Sequence, residues 1–240
     1  MDLRINDGSI AFAPKHNRPG KGDAREFQSQ AKQWCKFFNL DPDERLVIFD
    51  NSKSKAHMRD TVLEALERLP LSGLDPVVTA FFCHGYKRGL QPGFDLGHVD
   101  RLAKAISYRG GKNVIVPLYA CDTARDLDRD RADDLEEFGG DGGFADELRD
   151  ALCRAGSVFA KVDAHTTAGH TTRNWNLRRF KGDGSSVGGK GGFYIVPIVR
   201  DEKSEKHVIW LKWREQMKTD FRWMFPLMTT TEIHHYLAAL

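Results

Sequence analysis

Apolar residues in this chain fall in short continuous runs, separated by stretches where they recur every three or four positions. The runs Leu46 to Phe49, Val77 to Cys83, Asn113 to Tyr119 and Ser157 to Ala164 are rich in β-branched and aromatic residues and end in small or polar ones, as buried strands do. Helical spacing lies between them. Phe27, Ala31, Trp34, Cys35 and Phe38 share one face of a helix over about 23–38, with Asp23 as its cap. Met58, Val62, Ala65, Leu66 and Leu69 mark a second helix over about 53–68, stopped by Pro70. Two more helices are predicted over about 98–107 and 144–154, the last ended by Gly156. Strand and helix thus alternate with short connections, the pattern of a mostly parallel sheet covered on both faces.

The ends of the chain break this rhythm. Residues 1–22, with Pro14, Pro19, Gly20 and Gly22 among polar residues, read as an irregular arm. His165 to Gly192 reads as a long polar loop, followed by two strands, 193–199 and 207–213, joined as a hairpin. Thr231 caps a short final helix reaching Leu240. The expectation is therefore one α/β domain over 1–240, with its core at 45–164 and a loop and hairpin extension over 165–240.

Composition adds only bounds. The 240 residues are 40% hydrophobic and 29% charged, an ordinary balance that supplies a real core. A formal charge of +2 does not point to a nucleic-acid partner. No run of about 18 apolar residues exists to form a transmembrane helix, and the polar first ten residues do not resemble a secretory signal. The four cysteines, Cys35, Cys83, Cys121 and Cys153, form no Cys-x-x-Cys pair, so no zinc site or thioredoxin-like motif is expected and a reducing, cytoplasmic setting is.

Candidate chemistry sits at the ends of two strands. The second run delivers His84-Gly85 and the third delivers Ala120-Cys121. Parallel strands bring their C-terminal ends to one sheet edge, where open α/β folds place their sites. One loop, one helix and one strand separate the two residues, so a single crossover puts them on neighbouring strands. An imidazole beside a thiol is the minimal machinery of nucleophilic catalysis by cysteine.

In this order and strand context, the His-Gly and Ala-Cys motifs resemble the caspase-like cysteine peptidases of clan CD. The stretch Ala120-Cys121-Asp122-Thr123-Ala124 is similar to the Ala-Cys-x-Thr-Ala/Gly signature of the CHAT peptidases, and Gly143-Phe144-Ala145 with Leu148, Leu152, Ala155 and Gly156 resembles the helix after their nucleophile. The resemblance covers roughly residues 45–164. It implies a caspase-like sheet sandwiched by helices and a cysteine endopeptidase acting on protein or peptide substrates without a cofactor. It also implies Cys121 as nucleophile, His84 as general acid/base, and the backbone N–H groups of Gly85 and Cys121 as the oxyanion site. Caspase-like sheet edges also pair into dimers.

Further residues carry weaker expectations. Asp163, near the end of the strand after the nucleophile helix, lies where caspase-like enzymes line the pocket for the residue before the scissile bond. An acid there favours Arg or Lys by charge pairing, and Asp122 is a second candidate. The segment 122–141 carries nine acids interleaved with Arg125, Arg129 and Arg131. It reads as a solvated loop, as a self-processing linker cut at one of those arginines, or as a calcium site built on Asp126, Asp128 and Asp130. The stretch from 165 to 181, with Arg173, Arg178, Arg179, Lys181, Trp175 and Phe180, reads as a surface loop, a substrate groove or a nucleic-acid contact. In the last case the chain would be a non-catalytic module binding a protein or nucleic-acid partner. His165 and His170 have no further ligand at a familiar metal spacing, and the glycines of 182–192 lack the ending of a phosphate loop.

Overall fold

A computed structural model describes residues 8–18, 21–23, 25–38, 40–69, 76–125, 127, 142–166, 176–190 and 203. In chain order these form β1 (Ile10–Pro14), β2 (His16–Arg18), β3 (Lys21–Asp23), α1 (Arg25–Phe37), α2 (Pro42–Arg45), β4 (Leu46–Phe49), α3 (Lys55–Arg68) and β5 (Val77–Phe82). Then follow β6 (Gly85–Tyr86), β7 (Gly89–Leu90), α4 (Val99–Gly110), β8 (Val114–Tyr119), α5 (Phe144–Arg154), β9 (Lys161–His165), β10 (Asn176–Lys181) and β11 (Ser186–Lys190). A seven-stranded sheet runs β11-β10-β9-β8-β5-β1-β4. Its five strands from β4 to β9 are mutually parallel, while β10 and β11 are antiparallel additions at one side.

Alternation along the strands sorts the core into two layers. Ile10, Phe12, Phe81, Cys83, Val114, Val116, Leu118, Val162 and Phe180 join Val62, Leu66, Leu102, Ile106, Leu148 and Leu152 of α3, α4 and α5. The intervening residues face the other way, where Trp34 of α1 meets Phe82 edge-on and Phe82 stacks on Tyr119 at 4.2 Å. On the first layer Phe12 stacks on Phe81 at 5.1 Å, linking β1 to β5. Each such ring contributes roughly 1.5–3 kcal/mol by leaving water. No helix among the described residues is long and apolar enough to cross a membrane.

Three sequence expectations change. The arm over 1–22 contains β1, a fully buried strand in the sheet interior between β4 and β5, and the β2–β3 hairpin. Its apolar run, Ile10-Ala11-Phe12-Ala13, is short and runs into Pro14, so the prolines and glycines around it masked the strand. The β9 strand starts at Lys161, because the Ser157 hydroxyl donates to the Gly111 carbonyl (2.5 Å) and lies 2.8 Å from the Ser107 hydroxyl, while Val158 and Phe159 are exposed. The polar stretch after His165 contains β10 and β11, whose glycines and charges hid a hairpin that extends the sheet. The hairpin expected over 193–213 and the helix over 231–240 lie outside the described residues.

Candidate active site

Parallel pairing brings the C-terminal ends of β4, β1, β5, β8 and β9 to one edge, carrying Asp50-Asn51, Lys15 to Asn17, His84-Gly85, Ala120-Cys121 and Thr166. The β5–β8 register pairs Phe82 with Tyr119, and the Cys83 N–H donates to the Tyr119 carbonyl at 3.4 Å. Two residues further on, the motifs pack against each other. A Cβ placed on Gly85 would lie 2.5 Å from the Cys121 carbonyl oxygen and 2.7 Å from the side chains of Ala120 and Thr123. Glycine is required there because the backbone of one motif rests directly on the other.

Hydrogen bonds fix the orientation of His84. Its Nε2 is 2.7 Å from the backbone carbonyl of Asn17 and 3.1 Å from that residue's side-chain oxygen. A backbone carbonyl only accepts, so Nε2 carries a proton in this contact, and Nδ1 is the nitrogen left to exchange one. Phe27 of α1 packs edge-on against the ring, with centroids 5.1 Å apart. The His84 N–H donates to the Gln91 side-chain oxygen at 3.2 Å, and the Gln91 N–H donates back to the His84 carbonyl at 2.9 Å. In the antiparallel alternation this makes the neighbouring Gly85–Leu90 pair the one without cross-strand bonds, so the Gly85 N–H points away from β7.

The Asn17 carbonyl is itself held. The Lys15 N–H donates to the Phe49 carbonyl at 2.9 Å, continuing the β1–β4 ladder. One residue later the buried Asn51 side chain replaces backbone: it accepts from the His16 N–H at 2.9 Å and donates to the His16 carbonyl at 2.7 Å. Beside it, hydrogen bonds from the Ser52 hydroxyl and N–H hold the Asp50 carboxyl down at about 2, with Lys15 adding a weaker pull. A chain of contacts therefore runs from the end of β4 through His16 and Asn17 to the imidazole. Asn17, Asn51 and Gln91 were not singled out from the sequence. Asn51 closes an apolar run just as His84 does, a signal that was visible but carried no chemistry of its own.

Cys121 is half-buried and followed by Asp122 at φ +56°, the one non-glycine residue with positive φ among those described. Aspartate tolerates this region better than most residues. The turn is fastened on three sides: the Thr123 hydroxyl donates to the Ala120 carbonyl (3.1 Å), the Ala124 N–H to the His165 carbonyl (2.9 Å), and the Ala145 N–H to the Thr123 carbonyl (3.0 Å). None of the four cysteines is in a disulfide. Burial pushes the Cys35 thiol up to about 12 and raises those of Cys83 and Cys153 as well, leaving these three poor nucleophiles.

The remaining expected residues fare differently. Asp163 is 1% exposed, and both its oxygens accept from Arg179 of the neighbouring strand, at 2.6 and 2.8 Å. That bidentate pair uses up the carboxylate, so Asp163 is corrected from an open acid at the edge to half of a buried ion pair. Asp122 is partly exposed and lies 3.4 Å from Arg125. Of the candidate processing sites, Arg125 is tied into that turn, while Arg129 and Arg131 lie outside the described residues, as do Asp126, Asp128 and Asp130. The basic stretch is likewise corrected in part. Arg178 and Arg179 are each 4% exposed and bound to Ser186 and Asp163, and Phe180 is core, so these three are sheet residues and not a displayed surface. Arg173, Trp175 and His170 fall outside the described residues.

A cleft of about 880 Å³ opens on the β4 side of His84, with Asn17, Asn51, Leu90 and Phe94 in its lining and Cys121 outside it. Fold and site together define a mixed α/β protein whose mostly parallel sheet ends in His84 and Cys121 on neighbouring strands at one edge. Compared with known proteins, the chain matches no family model and no curated sequence.

Proposed function

We propose that the protein is a caspase-like cysteine endopeptidase with Cys121 as nucleophile and His84 as general acid/base. The observation that carries this reading is the packing of Gly85 on Cys121 together with the Asn17 carbonyl on His84 Nε2, which leaves Nδ1 as the basic nitrogen. The Cys121 thiol passes its proton to Nδ1, and the thiolate attacks the peptide carbonyl carbon. The resulting oxyanion is met by the N–H groups of Gly85 and Cys121. The imidazolium then protonates the amine as the C–N bond breaks, leaving a thioester. Water, deprotonated by His84, attacks that thioester and returns the thiol and the acid product. No cofactor enters. Four cysteines outside disulfides suit a reducing compartment such as the cytoplasm.

The test is a diverse peptide library incubated with the wild type and with Cys121→Ala, new termini being read by mass spectrometry. Cleavage by the wild type alone is expected, with His84→Ala slower by on the order of 10²–10⁴-fold. In parallel, iodoacetamide labels Cys121 ahead of Cys35, Cys83 and Cys153 in the folded protein. An inert wild type whose four thiols label at one slow rate overturns the assignment and leaves a binding module.

A further inference from the structure

The cleft beside His84 is basic. Lys53, Lys55 and Arg88 contribute to its lining, all three are exposed, and none has an ion-pair partner among the described residues. The carboxylate in the lining, Asp95, is already bound: its Oδ1 accepts from the Gly97 N–H at 3.0 Å and lies 2.6 Å from His98 Nδ1. Lys53 and Lys55 also flank Ser54, the N-cap of α3, whose first turn carries no acid. Helix N-termini favour negative charge, so two lysines there oppose the local dipole. Arg59, the next cation inward, is committed to the Gly93 carbonyl at 2.8 Å. Three cations thus face a single carboxylate, Asp95, in this lining.

Mechanism gives the cleft its direction, and this step rests on the peptidase reading. The general acid must reach the leaving amine, so the substrate residues after the scissile bond depart over His84. The cleft begins at His84 and runs away from Cys121, toward β4 and α3. Its floor includes Met58, Leu90 and Phe94, and Tyr86 stands exposed at its rim. With Asp163 neutralised by Arg179, the charge selection at this edge comes from the cleft. We infer that the cleft formed by Lys53, Lys55 and Arg88 beside His84 binds acidic side chains immediately following the scissile bond of a polypeptide substrate.

Binding and cleavage test this separately. The 240-residue Cys121→Ala protein is titrated with fluorescein-labelled peptides that alternate Ala with Glu, Gln or Lys. The Glu peptide is expected to bind at least about ten-fold more tightly than the Gln peptide, and to weaken as salt screens the cations. Lys53→Gln/Lys55→Gln/Arg88→Gln in the same background, verified as folded by circular dichroism, removes the preference. In the wild-type library, Asp and Glu are enriched after the cut. Equal binding of the Glu and Gln peptides overturns the inference, as does an acidic preference that survives the triple substitution, or an oligonucleotide that displaces the Glu peptide at lower concentration. Cleavage without acidic enrichment after the cut overturns it too and leaves the peptidase standing. Tight Glu-peptide binding with an inert wild type overturns the peptidase reading, and with it the placement relative to a scissile bond.

Discussion

Asn51 shows how one side chain can position another without touching it. Its amide makes two hydrogen bonds to the backbone of His16, and the next residue's carbonyl sets the tautomer of His84. In Asn51→Ala a buried N–H and C=O lose their partners, which costs about 2 kcal/mol of stability. The Asn17 carbonyl then drifts, and a displacement on the order of 1 Å lowers the rate by up to about 10²-fold. Steady-state kinetics should show kcat falling while KM holds. Asn51→Asp, which still accepts from the His16 N–H, should fall between wild type and alanine. A KM effect alone would make Asn51 a contact for substrate instead. The sequence displays His84 and Cys121 because each closes a long apolar run with a chemically able side chain. It does not display Asn17, whose shorter contact to the ring is through a backbone carbonyl.

At the scale of elements, β9 and β10 illustrate what periodicity misses. Asp163 reads from the sequence as an open acid at a strand end and Arg179 as part of a polar stretch, yet the register sets them opposite each other and both are buried. Truncating one member of such a pair strands the other charge without a partner, so Asp163→Ala should lower stability by about 3–5 kcal/mol in urea unfolding. Asp163→Leu/Arg179→Met should recover most of that loss, since a buried ion pair is often no more stable than an apolar pair of similar volume. A substrate-selecting acid behaves otherwise: Asp163→Ala would unfold normally and change the cleavage profile. The longer helices, by contrast, were legible from spacing, though the four-residue α2 was not. The periodicity of 144–154 coincides with α5, and the apolar face predicted for 53–68 is the one α3 buries, with Met58, Val62 and Leu66 inside. Each of those helices depends on one stripe and one neighbouring layer, so local spacing is enough to find it.

Across the whole molecule, β1 joins the edge strand β4 to the rest of the parallel array. It pairs with β4 on one side and β5 on the other, fills the core with Ile10 and Phe12, and hands the chain on to Asn17. Deleting residues 1–18 therefore removes an interior strand and a contact to His84 together. The expected result is loss of the cooperative thermal transition, read by circular dichroism, not merely loss of activity. A truncated chain that melts cooperatively near the temperature of the 240-residue chain would return this segment to the status of an arm. The sequence by itself determined the alternation of strands and helices, the parallel class of the sheet, and the two strand ends where imidazole and thiol emerge, because hydrophobic periodicity records burial locally. Only the tertiary structure decided which strands are neighbours, that a four-residue apolar run lies inside the sheet, that Asp163 spends its charge on Arg179, and that three cations surround the cleft at His84. Those outcomes depend on pairings between residues distant in the chain, and a partner's identity is not written in the spacing of either residue alone.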